Sequence, residues 1–97
     1  MILQHAIEDW PYQNPPTRHP FLYWQGDDTV ILISSQMPRL HFKIHRCMVF
    51  LNEQLQSART PIVGGQPIET FQDVEIRELD CSVGELERLL QSVYEPA

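Results

Sequence analysis

The 97-residue chain has room for one small domain with a core of moderate size, and none for separate catalytic and cofactor-binding halves. Thirteen acids against seven bases give a net charge of −6, and Lys43 is the only lysine, which argues against nucleic acid or an anionic membrane surface as partner. The hydrophobic fraction of 42% is that of a globular protein, and no apolar run reaches the roughly 18 to 20 residues of a membrane span. MILQHAIEDW lacks the basic start of a signal peptide, and Cys47 and Cys81 agree with a reducing compartment, so a soluble intracellular chain, cytoplasmic or nuclear, is expected.

Residues 1–19 read as an N-terminal arm and residues 20–97 as the domain. Within the arm, Ile2, Leu3, Ala6, Ile7 and Trp10 fall at near-helical spacing, enough for about two turns if something packs on them. PYQNPPTRHP then holds four of the eight prolines and predicts an extended segment that cannot pair in a sheet interior. After the turn signal Gly26-Asp27-Asp28 comes TVILIS, whose continuous apolar run from Val30 to Ile33 predicts a strand buried on both faces and central in its sheet. SSQMPR turns the chain into LHFKIHR, where Leu40, Phe42 and Ile44 alternate with His41, Lys43 and His45. That period predicts the second strand of a hairpin, with the apolar set facing the core and the polar set facing out.

From Arg46 the pattern becomes helical, with Met48, Leu51 and Leu55 on one stripe of CMVFLNEQLQSA, and Thr60-Pro61 stops it. PIVGGQPIETF reads as a loop in which Gly64-Gly65 serves as flexible spacing, and DVEIREL as a third strand carrying Val74 and Ile76. Ser82-Val83-Gly84-Glu85 is a capping box, followed by the stripe Leu86, Leu89, Leu90, Val93 of a last helix that Glu95-Pro96 ends. The order arm-β-β-α-loop-β-α is an α+β arrangement with a short three-stranded sheet and flanking helices.

Three side chains suggest chemistry because they lie close in sequence: His41, His45 and Cys47. On a helix, histidines at i and i+4 sit about 6 Å apart and could grip one ion, but on a strand that spacing opens to roughly 13 Å. The alternation selects the strand, which argues against a shared metal. No G-x-S-x-G elbow or phosphate loop is present, Ser82 is occupied as a cap, and Asp27-Asp28 belong to a turn. The expectation is therefore a non-catalytic chain without cofactor, and the competing reading is a small metal- or redox-dependent enzyme fragment using His41, His45 and Cys47.

GDDTVILISS followed by LHFKIHRCMVF resembles the opening hairpin and first helix of the BTB/POZ domain in its divergent fungal form, with Asp28, Phe42, Ile44, His45 and Arg46 on the family pattern. DVEIRELDCSVGELERLLQSVYEP is similar to that family's third strand and following helix. The stretch Glu53-Gln54-Leu55-Gln56 departs from the family, where a serine and an aromatic pair stand, and the loop from Pro61 to Phe71 is this chain's own. The resemblance implies a protein-interaction module that homodimerises, or acts as an adaptor for cullin-3 ubiquitin ligases. Ile7, Trp10, Met48, Leu51 and Leu55 would supply the interface. Further helices normally follow in that family, so the resemblance also implies a truncated or minimal version, or an apolar surface covered by another copy or another protein.

Overall fold

The computed structural model describes Trp10, residues 17–36 and residues 39–95. Seven strands and three helices follow one another: β1 (Thr17–Tyr23), β2 (Thr29–Ser34), β3 (Leu40–His45), α1 (Arg46–Val49), α2 (Glu53–Gln56), β4 (Ile62–Val63), β5 (Gln66–Pro67), β6 (Thr70–Phe71), β7 (Val74–Leu79) and α3 (Val83–Tyr94). Five strands form one mixed sheet in the order β1-β3-β2-β7-β6, and β4 pairs with β5 as a separate hairpin.

β2 is the middle strand, antiparallel to β3 and parallel to β7, and all six of its residues are buried. Alternation across the pleat divides its side chains between two cores. Val30 and Leu32 join Leu22, Phe42, Ile44 and Leu79 beneath Leu55 of α2 and Leu86 and Leu90 of α3. Ile31 and Ile33 join Ile76, Ile68, Phe71 and Trp10 on the opposite side. The apolar run in TVILIS is thus required by two covered faces, as the sequence predicts.

Several expectations need correction. The sheet has five strands rather than three, because residues from the arm and from the loop are recruited to its edges. β1 runs parallel to β3 and carries Pro20 at the sheet edge, where a missing amide breaks no interior ladder. The arm/domain division after residue 19 therefore falls inside a strand. The loop from Pro61 to Phe71 is largely hairpin: Gly64 and Gly65 take φ of 60° and 79° between β4 and β5, the positive values that a two-residue hairpin turn requires. Gly64-Gly65 is a tight turn and not a flexible spacer. Gln72 and Asp73, at φ of 52° and 64°, turn β6 into β7 in the same way.

The single helix predicted after Arg46 is two short ones. Asn52 is extended, and its side-chain oxygen accepts from the amides of Gln54 at 2.8 Å and Leu55 at 3.3 Å, starting α2 afresh. A short polar side chain that can bond the backbone nearby competes with helix continuation, and here it wins. Half of the capping box forms: Ser82 Oγ accepts from the Glu85 amide at 3.2 Å, but Glu85 Oε1 takes the Ser82 hydroxyl at 3.1 Å in place of the cap's backbone amide. No helix among the described residues is long and apolar enough to cross a membrane.

Candidate interaction surfaces

At the junction of β3 and α1, Asp28 and Arg46 join Glu75, Arg77 and Thr60 in a connected polar network. Asp28 takes φ of 58°, which turns its carbonyl to accept from the Arg46 amide at 2.8 Å. Its carboxylate lies 3.3 Å from Arg46 Nε, and Arg46 Nη1 donates to Glu75 Oε1 at 3.2 Å. Arg77 Nε holds the other Glu75 oxygen at 2.9 Å and its Nη1 donates to Thr60 Oγ1 at 3.1 Å. The Arg77 hydrogen bond, aided by Arg46 and opposed by partial burial, keeps the Glu75 carboxyl below its ordinary range. Phe42 and Ile44 are fully buried, so their place in the pattern is a packing role.

His45 is tied to the far end of α3. Its amide donates to the Tyr94 hydroxyl at 2.9 Å, and its Nδ1 lies 2.9 Å from the same oxygen. The one hydroxyl thus ties together the amide and the ring of His45. Burial raises the Tyr94 hydroxyl above its usual range, which keeps it protonated for that role. Trp24 leans on both rings, 5.3 Å from His45 and 5.7 Å from Tyr94.

The network floors a groove of about 450 Å³ on the helix-bearing side of the sheet. Val30, Leu32, Val49 and Leu55 supply its apolar lining, and Arg46, Glu75 and Arg77 its charged one. Phe50, also a lining residue, is 73% exposed and its neighbour Leu51 71% exposed, because the break before Asn52 turns both outward.

Of the residues expected to make an interface, Leu51 alone is fully offered to solvent. Leu55 is 1% exposed and is core, Met48 is half-buried against the same core, and Trp10 is buried on the other face. Ile7 lies outside the described residues. Sequence reasoning missed the exposure of Phe50, and the signal available was Asn52 two residues on, a strong helix starter inside an apolar-striped run.

The three residues of the enzyme reading occupy three environments. His41 is corrected from outward-facing to fully buried: its ring stands edge-on to Trp10 and Phe71, and neither ring nitrogen has a hydrogen-bond partner among the described residues. Burial, with Arg18 and Arg39 nearby, drops its pKa to about 3. His45 is engaged with Tyr94, and Cys47 is exposed. Among the described residues no three His, Cys, Asp or Glu side chains converge as a metal ion requires. Burial and the charges of Glu85 and Asp80 push the Cys81 thiol up, away from thiolate chemistry.

A second buried histidine escaped the sequence reading. His19 Nδ1 accepts from the amides of Phe21 at 3.1 Å and Leu22 at 3.0 Å, so its proton is on Nε2, which donates to Glu87 on α3 at 3.2 Å. The ring stacks on Phe42 at 4.7 Å. It pins the irregular stretch of β1 to the last helix, a task with no signature in linear sequence. A scan against protein-family models gives no match to this chain, and neither the curated proteins nor the solved structures yield one.

Proposed function

We propose that this chain is a non-catalytic protein-interaction domain of BTB/POZ type, which self-associates through the Phe50–Leu51 rim and the groove beside it. The observation that carries the reading is the outward presentation of those two large apolar side chains next to a groove of mixed polar and apolar lining. Large exposed apolar groups with polar neighbours mark contact surfaces, and a stable dimer buries on the order of 1,200 to 2,000 Å² in total. The order of elements supports the family part: an antiparallel hairpin, a pair of short helices, a strand returning parallel to the first of the hairpin, then a helix. An adaptor role toward cullin-3 ubiquitin ligases, in cytoplasm or nucleus, extends the same reading.

Light scattering coupled to size exclusion tests the self-association. The full chain elutes as a dimer at a few tens of micromolar, and Phe50→Glu with Leu51→Glu gives a monomer with an unchanged urea midpoint. A monomeric wild type, or a doubly substituted dimer, sinks the proposal. The adaptor role is checked separately by calorimetry against a cullin-3 N-terminal domain, where absence of binding at about 100 µM excludes any useful affinity.

A further inference from the structure

The second face of the sheet, opposite α3, holds a different kind of site. Trp10 is 8% exposed there, with its ring 5.2 Å from His41 and 5.3 Å from Phe71. Below it the fully buried His41 imidazole carries two nitrogens that meet no partner among the described residues. Apolar residues would fill such a floor without that penalty, so an imidazole here has a use that the indole above it does not satisfy.

The rim beside this floor is positive. Arg18 is the register partner of His41 across β1 and β3, and Lys43 follows two residues along β3. Both cations rest on the Tyr23 ring, at 5.0 Å and 5.6 Å from its centroid. Neither has a carboxylate partner among the described residues, whereas Arg39, Arg46, Arg59 and Arg77 each do. In a chain of net charge −6, two cations with no carboxylate partner among the described residues, beside an aromatic slot, are a local inversion of sign. The residue that fills the slot comes from the sequence Ile7-Glu8-Asp9-Trp10, in which two acids directly precede the indole. An acidic pair followed by an aromatic residue is the chemistry that a basic rim and an aromatic floor complement.

We propose that this face is a receptor for an acidic-aromatic segment of a partner protein, two acidic residues followed by tryptophan, for which the chain's own Trp10 is the resident competitor. The incoming indole stands edge-on to His41 and tilted against Phe71, its acids meet Arg18 and Lys43, and the partner supplies a hydrogen bond to the imidazole. Occupancy by Trp10 lowers the apparent affinity by the fraction of chains whose slot is filled from within. This site is independent of the Phe50–Leu51 surface and stands whether or not the chain dimerises there.

Fluorescence anisotropy with a labelled AIEDWPYQ peptide and the full-length chain tests it. Trp10→Ala, folded by circular dichroism and a cooperative urea transition, binds the peptide, and wild type binds more weakly. An AIKKWPYQ peptide, or an added Arg18→Glu substitution, weakens binding about fivefold or more. A folded Trp10→Ala chain that ignores the peptide at about 1 mM, or binds the charge-reversed peptide equally, overturns the proposal. So does a Trp10→Ala chain that leaves the peptide free but pairs with wild-type chains, which assigns the face to a second copy. Should Trp10→Ala fail to fold, Trp24→Phe leaves Trp10 as the sole tryptophan. Titrating AIEDFPYQ then displaces it and red-shifts its emission, and an unmoved spectrum refutes the site.

Discussion

His41 makes the stability of this protein depend on pH in a direction and range that the structure sets. Its pKa falls from the ordinary 6.5 to about 3 on folding, chiefly because burial disfavours the imidazolium, with Arg18 and Arg39 adding repulsion. Between those values the unfolded chain binds a proton that the folded chain refuses, so stability is complete above pH 6.5 and is lost as pH falls toward 3. The full loss is on the order of 5 kcal/mol, and between pH 7 and pH 5 it is about 2 kcal/mol. The perturbation is His41→Leu, which keeps the bulk and removes both unpartnered nitrogens. At pH 7 it stabilises the chain by about 1 to 2 kcal/mol, since two buried polar atoms without partners disappear. At pH 5 the advantage grows to about 3 to 4 kcal/mol, because the variant has no proton to take up. Urea unfolding followed by far-ultraviolet circular dichroism at the two pH values measures both gaps. Every other titrating group is common to the two proteins and cancels in the difference. Equal pH dependence of wild type and variant refutes the reasoning, as does a variant less stable than wild type at pH 5.

Four further substitutions have outcomes set by side-chain contacts or by the backbone. His19→Ala removes the acceptor for two amides, the bond to Glu87 and the stack on Phe42, and lowers the unfolding free energy by about 2 to 3 kcal/mol in urea titration. Tyr94→Phe deletes the hydroxyl that serves the His45 amide and ring, costing about 1 to 2 kcal/mol; an unchanged urea midpoint would show that water replaces it fully. Gly65→Ala meets no atom within 4 Å of the new Cβ but must hold φ of 79°, so it costs about 1 kcal/mol through the backbone alone, and the same substitution at Gly84, which also meets no atom there, gains about 1 kcal/mol within α3.

The central strand and the last helix were legible because one local pattern governs each. Val30 to Ile33 admits no polar residue, so both faces had to be covered, and Ser82 with Glu85 satisfies its helix start from within four residues. His41 was misread for a physical reason: alternation tells which residues share a face, but not whether the second face meets water. Trp10 and Phe71, distant in sequence, decide that here. Pro20 hid β1 because prolines argue against strands, yet an edge that slips register between Arg18 and Tyr23 tolerates one. Asn52 broke the helix through a hydrogen bond that competes locally with helix geometry, and that break is what exposes Phe50. The Arg46 network was visible only as separate charges, since Asp28, Glu75 and Arg77 meet through the parallel pairing of β2 with β7.

The pairing of β2 with β7 closes a far longer stretch of chain than its pairing with β3. Val30 finds Ile44 by closing one hairpin, but it meets Glu75 on its other side only after both short helices, the β4–β5 hairpin and β6 have been traversed. Closing the longer loop is slower, so the most apolar strand of the chain spends the interval with one row of amides and carbonyls bare. A second chain in the same state offers the same bare edge, and refolding yield falls as protein concentration rises. The strand that makes the finished core secure is, until its last neighbour docks, the place where two chains join by mistake.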